Sequence, residues 1–163
     1  MLIQFLVKNF RSFQGQQVLS MVASTDKLLL EENTIHTPTL SKQRLLRSAV
    51  VYGPNASGKS NLIAAFAFVQ QFVQSSAERQ AGTAIPLEPF LLDGASANSP
   101  SEFEITFVHQ DVRYQYGFSV ERQRVPGEWL MAYPKGLPQK WFERSPLPNS
   151  SDSGWSFGSQ LKG

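Results

Sequence analysis

Apolar and polar residues alternate from Leu2 to Lys8, with Ile3, Phe5 and Val7 on one side, which predicts a strand. Asn9 to Gly15 interrupts the alternation. A second apolar run, Val18 to Val22, is placed to pair back on the first as a hairpin. Ser24 to Arg47 is mixed and polar and reads as a long loop with one helical turn at Lys27 to Glu32. LLRSAVVY, Leu45 to Tyr52, predicts a strand with buried side chains. Between Lys59 and Ser75 the period changes: Leu62, Phe66, Val69 and Val73 recur at helical spacing and form the expected core face of a helix. After Ser76 the period returns to two. The runs 86–92, 102–109, 112–120, 128–133 and 140–144 predict an antiparallel meander, with a hairpin turn at Gln110 and Asp111. From Ser145 onward, Ser, Pro, Gly and Asn predict a weakly ordered tail in which Trp155 and Phe157 form at most one further strand.

The composition narrows this picture. With 163 residues and 41% hydrophobic content, the chain has material for one domain core. The absence of cysteine excludes a disulfide framework, a thiolate zinc site and thiol catalysis, and gives a cytoplasmic expectation. Fifteen basic against thirteen acidic residues leave a net charge of +2, which by itself points to no nucleic-acid partner. Lys42, Arg44 and Arg47 form the densest basic run, and a solvated face is its ordinary explanation. The longest apolar stretch, Leu62 to Val69, is too short to cross a bilayer, and the N-terminus lacks the order of a signal peptide, so no membrane partner is expected. The aromatic residues of the meander, Phe103, Phe107, Tyr114, Tyr116, Phe118, Trp129 and Trp141, offer a base-stacking platform, but period-two spacing assigns most of them to the sheet interior.

The chemistry concentrates at Gly53–Ser60, which satisfies G-x-x-x-x-G-K-[ST]. Gly53 and Gly58 permit a backbone that curls its amide groups around phosphates. Lys59 can reach the β- and γ-phosphates, Ser60 can place its hydroxyl on Mg²⁺, and the helix behind aims its positive end at the anion. A strand before and a helix after are the context this motif requires, and the pattern supplies both.

The longer segment GPNASGKSNL, with Pro54, Asn55, Ala56 and Ser57 inside the loop and Asn61 and Leu62 after it, resembles the ATP-binding-cassette branch of P-loop proteins, the SMC, RecF and OLD-like heads. The turn NFRSF, Asn9 to Phe13, agrees with it. SEFEITF, RYQYGFSV, EWLMAYP and WFER, in this order, resemble the AAA-family ATPases of bacterial abortive-infection and restriction-associated loci. The resemblance implies an α/β fold: the N-terminal part of an ABC-type P-loop NTPase head, with an antiparallel β-lobe after the phosphate-loop helix. It divides the chain into a hairpin at 1–23, strand, loop and helix at 45–76, a meander at 86–144 and a tail at 145–163. It further implies that Arg11 contacts the nucleotide and that Phe10 or Ser12 borders the base. Asn55 either points its amide at the γ-phosphate or the attacking water, or simply suits the tight turn. ATP and Mg are the implied ligand and cofactor. The implied partners are a second head or a larger assembly, a nuclease or other effector subunit, and nucleic acid.

Hydrolysis in such an enzyme needs a carboxylate on a second strand for Mg²⁺ and a glutamate beside it. Asp93 and Asp111 each end an apolar run but lack a neighbouring acid, and strand ends or turns suit them better. His36 and His109 lie apart and suggest no metal site. The expectation is therefore the front portion of a larger ATPase, whose catalytic acids, signature motif and switch histidine lie beyond this length. The alternatives are a module that binds ATP or GTP without turnover, and a β-sheet nucleic-acid binder with an incidental glycine loop.

Overall fold

The computed structural model describes residues 1–41, 43–76, 83–147 and 153–159. Among these, strands β1 (Leu2–Lys8) and β2 (Gln17–Ser20) form the expected N-terminal hairpin, pairing Phe5 with Leu19 and Leu6 with Val18. A short helix, α1 (Leu30–Asn33), leads into β3 (Thr34–His36) and β4 (Arg44–Leu46). The long helix α2 (Lys59–Ser75) follows, then a single turn, α3 (Gly94–Ala97). The meander comprises β5 (Ser101–His109), β6 (Val112–Val120), β7 (Gly127–Tyr133), β8 (Gln139–Pro146) and β9 (Ser153–Phe157).

The fold is mixed α/β and is built on one large antiparallel sheet of order β2-β1-β5-β6-β7-β8-β9. The join between its two sequence-distant parts is β1 against β5, with Val7 opposite Phe103 and Phe5 opposite Ile105. Across β5 and β6 the alternation continues, Phe103 facing Phe118. One face of this sheet therefore presents Phe5, Val7, Phe103, Phe118 and Val120, and α2 lies over it. Four ring contacts lock the helix down. Phe66 stacks on Phe5 at 3.9 Å between centroids, Phe68 on Phe103 at 5.0 Å and Phe72 on Phe118 at 4.1 Å, while Phe10 meets Phe68 at 5.6 Å. A smaller cluster on the other side gathers Ile3, Leu40, Leu45 and Val108.

Several expectations are corrected here. The helix buries Ala65, Phe68, Val69 and Phe72, whereas Val73 is 47% exposed. Because three rings must meet three sheet rings, the contact stripe runs along the phenylalanines, and Val73 turns away. The loop expected over 24–47 contains the β3–β4 pair, whose three-residue strands are too short to show a period; Ala23 and Leu46 extend it by donating to Arg44 and Met21 carbonyls. Its helical turn lies at Leu30–Asn33, not Lys27 to Glu32. Lys42 of the basic run lies outside the described residues, and Arg44 pairs with Glu31 at 2.7 Å.

The strand expected over 45–52 ends at Leu46. Val50 and Tyr52 are 83% and 89% exposed, since residues 48–52 have no ladder partner and no layer over them. Pro86–Leu92 is not a strand either. Pro86 and Pro89 remove two donors, so the segment cannot join a ladder, although Ile85 and Leu87 still bury their side chains. Of the seven meander aromatics, Phe103 and Phe118 are fully buried and the other five half-buried. Trp129 is on the face away from α2, where its ring covers Gly117: a Cβ there would sit 2.3 Å from the indole. Trp155 and Phe157 fall in β9, while the tail's 148–152 and 160–163 lie outside the described residues.

Candidate functional site

Gly58 caps α2 at φ +94°, a left-handed backbone that glycine adopts without penalty. A Cβ at this position would also lie 3.2 Å from the Phe13 ring and 3.3 Å from Ser12 Oγ. The loop thus presses against the turn after β1, and a side chain at Gly58 would strain the left-handed backbone and push these two neighbours back by a few tenths of an ångström. Ala56 is left-handed as well, at φ 63°. A Cβ on Gly53 would meet Ser57 Oγ at 3.1 Å. Left-handed Ala56 and Gly58, with Gly53 at the other end, fold residues 53–58 into a compact arch over the start of α2.

That start has no side-chain cap, so its first amide groups remain available to an anion. Asn61 and Leu62 already donate to the Gly58 carbonyl, which aligns the first turn. Lys59 Nζ donates to the Gly53 and Pro54 carbonyls, both at 2.7 Å, and approaches Ser57 Oγ at 3.4 Å. The ammonium group thereby stands inside the arch, where an incoming phosphate would replace these carbonyls. Pro54, Asn55, Ala56 and Ser57 are exposed, as is Ser60 in the first turn of α2.

The second wall of the site comes from the N-terminal hairpin. A cavity of about 410 Å³ opens between Phe13, Gln17 and Val18 on one side and Tyr52, Lys59 and Leu62 on the other. It is an apolar cleft beside a loop rich in available amides. Asn61 Nδ2 donates to Ser12 Oγ at 2.7 Å and ties the hairpin turn to α2.

The expected residues divide clearly. Gly53, Pro54, Ser57, Gly58 and Lys59 line the cavity, whereas Asn55, Ala56, Ser60 and Asn61 are not among its lining residues. Arg11 sits at the edge of the same turn, in a left-handed backbone at φ 49°, but its guanidinium pairs with Glu88 at 2.8 Å, and Arg11 does not line the cavity. Phe10 is 2% exposed and belongs to the core, so it cannot border a base. Phe13, three residues on, lines the cavity, and Ser12 accepts from Asn61 beside it. Asp93 caps α3, accepting from the amides of Ala95 and Ser96 and from Ser96 Oγ. Those bonds hold its carboxyl below its ordinary value of 3.8. Asp111 is half of the β5–β6 turn, left-handed together with Gln110. His36 contacts the Ser41 carbonyl, and among the described residues no group of three metal-ligating side chains occurs.

Phe13 lies in the NFRSF turn, whereas Gln17, Val18 and Tyr52 carried no chemical signature in the sequence, because their place on the cavity comes from where the hairpin folds back. Among the described residues no helix is long and apolar enough to cross a membrane. A protein-family model described as "AAA domain, putative AbiEii toxin, Type IV TA system" matches residues 48–163, which take in the loop, α2 and strands β5 to β9. No curated protein matches the chain.

Proposed function

Because the chain belongs to this family of AAA domains, whose chemistry is nucleotide binding and ATP hydrolysis, we propose that Gly53–Ser60 holds the phosphates of ATP. The observation that carries the proposal is the arch itself: left-handed Gly58 opens an uncapped helix while Lys59 Nζ stands inside the curl at 2.7 Å from two carbonyls. Phosphate oxygens would take the lysine from those carbonyls and accept from the amides at the start of α2. The adjoining cleft of Phe13, Val18 and Tyr52 is of the size and polarity for the base. Asn61, tied to Ser12, holds the hairpin turn against the first helical turn, and Arg11 stands on that turn outside the cavity, paired with Glu88.

Ser60 would supply one protein oxygen for Mg²⁺, with phosphate and water at most other positions and the second-strand carboxylate that hydrolysis needs not identified among the described residues. The exposed hydroxyl at the first turn fits that role. When bound with the nucleotide, the ion offsets phosphate charge. In the complete protein we place ATP hydrolysis coupled to an ABC-type dimerisation of heads, a reading supported by the loop's exposure on the surface, where a second head can reach it. Service in phage defence or nucleic-acid transactions, with an effector subunit such as a nuclease, rests on the resemblance and the family description.

The test is titration of the chain with Mg·ATP, wild type against Lys59→Ala. The proposal expects saturable binding, weakened at least tenfold by the substitution, with an unchanged circular dichroism spectrum. Equal affinity in both proteins would overturn it. Phosphate release measured alongside separates an ATPase from a module that binds without turnover, since the latter gains thermal stability from ATP and releases nothing.

A further inference from the structure

The Arg11–Glu88 pair lies at the edge of the candidate site and has three unusual properties. The guanidinium bonds the carboxylate through Nη2 alone, and its Nε is buried without a partner. Arginine normally meets a carboxylate through two parallel bonds, and a buried unmet donor carries a cost, so the pairing leaves this side chain under-satisfied. The backbone beneath it is fixed in a left-handed turn: Phe10 and Phe13 exchange two hydrogen bonds, and Asn9 is buried. Glu88, in contrast, is anchored by its main chain, where the Arg11 amide donates to its carbonyl at 2.8 Å, while its side chain is 63% exposed and meets Arg11 through one oxygen. The base of the pair is rigid and its carboxylate is replaceable.

One residue further, Ser12 bonds Asn61 of α2 and touches the space above Gly58, so Arg11's turn is seated on the phosphate-binding arch. We propose that Glu88 is a built-in competitor for Arg11: its carboxylate occupies the guanidinium until the phosphates of a bound nucleotide take it over. This rests on the nucleotide reading of the loop given above. The exchange is one anion for another at the same cation, and the main-chain bond keeps Glu88 in place to recapture Arg11 when the nucleotide leaves. Glu88 is then a positioning residue that sets affinity without touching the ligand.

The experiment measures Mg·ATP affinity for the wild type, Glu88→Gln, Arg11→Gln, the double variant and Lys59→Ala, with a thermal melt of each to verify folding. Exposed ion pairs are weak, so Glu88→Gln is expected to tighten ATP by about two- to fivefold. Arg11→Gln weakens it, and in the Arg11→Gln background the Glu88 substitution has no further effect. Added salt narrows the gap between wild type and Glu88→Gln. Unchanged or weaker binding by Glu88→Gln, or a gain that persists without Arg11, would overturn the competitor role. Either result alongside a strong Lys59→Ala defect removes this inference and leaves the nucleotide site standing, whereas an undiminished Lys59→Ala removes the site itself. If Arg11→Gln does not fold, Glu88→Asp replaces it as the second arm: a shorter carboxylate at the same backbone should retain competition and keep affinity closer to wild type than Glu88→Gln does.

Discussion

Asn9 shows how much one residue can hold. It is buried in a left-handed turn, and its Nδ2 donates to the carbonyls of Ser96 and Ser99 at 2.8 Å and of Pro100 at 3.3 Å. Its Oδ1 accepts from the Phe90 amide, and its own carbonyl accepts from Ser101 Oγ. A proline-containing segment that cannot join the sheet is thereby bonded to it through a side chain. Asn9→Ala leaves those groups unmet and places alanine where φ is positive, so a loss of about 2–4 kcal/mol is expected in urea unfolding. An unchanged midpoint would refute the bridging role. Asp93 adds a pH-dependent contact. Bonds from Ser96 and Ala95 lower its carboxyl below 3.8, so the stabilisation they bring is present above that value and is lost as the pH falls through the lower folded-state value. Amide exchange at Ser96 should accelerate in that acid range in the wild type, and Asp93→Asn should remove the acid dependence.

At the scale of elements, α2 decides between two faces. The sequence pattern favoured Leu62, Phe66, Val69 and Val73, but Phe72, 4% exposed and stacked on Phe118, does more than Val73. Phe72→Ala is expected to cost about 3–5 kcal/mol, against less than about 1 kcal/mol for Val73→Ala. Comparable losses in the two variants, measured by thermal or chemical unfolding, would contradict the packing described. The rotation was not legible because helical spacing admits several overlapping apolar stripes on an apolar helix, and the choice between them is made by Phe5, Phe103 and Phe118 on the sheet. The turn of the β5–β6 hairpin and the bounds of β6 were legible to the residue, and β5 begins one residue earlier than its pattern indicated, at Ser101. The two strands alternate over nine residues each, and Gln110 and Asp111 both take the positive φ that a two-residue turn between twisted strands requires.

Across the whole molecule, stability is distributed around the central strands. β1, β5 and β6 carry the residues that α2 covers, whereas β3–β4 is a three-residue pair and 48–52 has no ladder partner. Native-state hydrogen exchange should therefore find the slowest amides in β5 and β6 and fast exchange at Ala49–Tyr52, immediately before the arch. Slow exchange at Val51 and Tyr52 in the nucleotide-free protein would contradict that ranking. Addition of Mg·ATP should slow exchange from Gly58 to Ser60, whose amides would take up the phosphates under the proposed function, more than at Asn61 and Leu62, which already donate to the Gly58 carbonyl.

Local physics was enough to place β1 and β5 to β8 within a residue or two, the span of α2 and the G-x-x-x-x-G-K-S loop, because alternation, helical spacing and glycine backbone freedom act between near neighbours, though it was not enough to exclude the proline-bearing run 86–92. The pairing of β1 with β5, which brings Phe13 and Ser12 onto Gly58 and Glu88 onto Arg11, was decided by the tertiary structure alone. Those contacts join residues far apart in the chain, and their energy comes from burying Phe5, Val7, Phe103 and Phe118 beneath one helix, a sum over the core that no single segment carries.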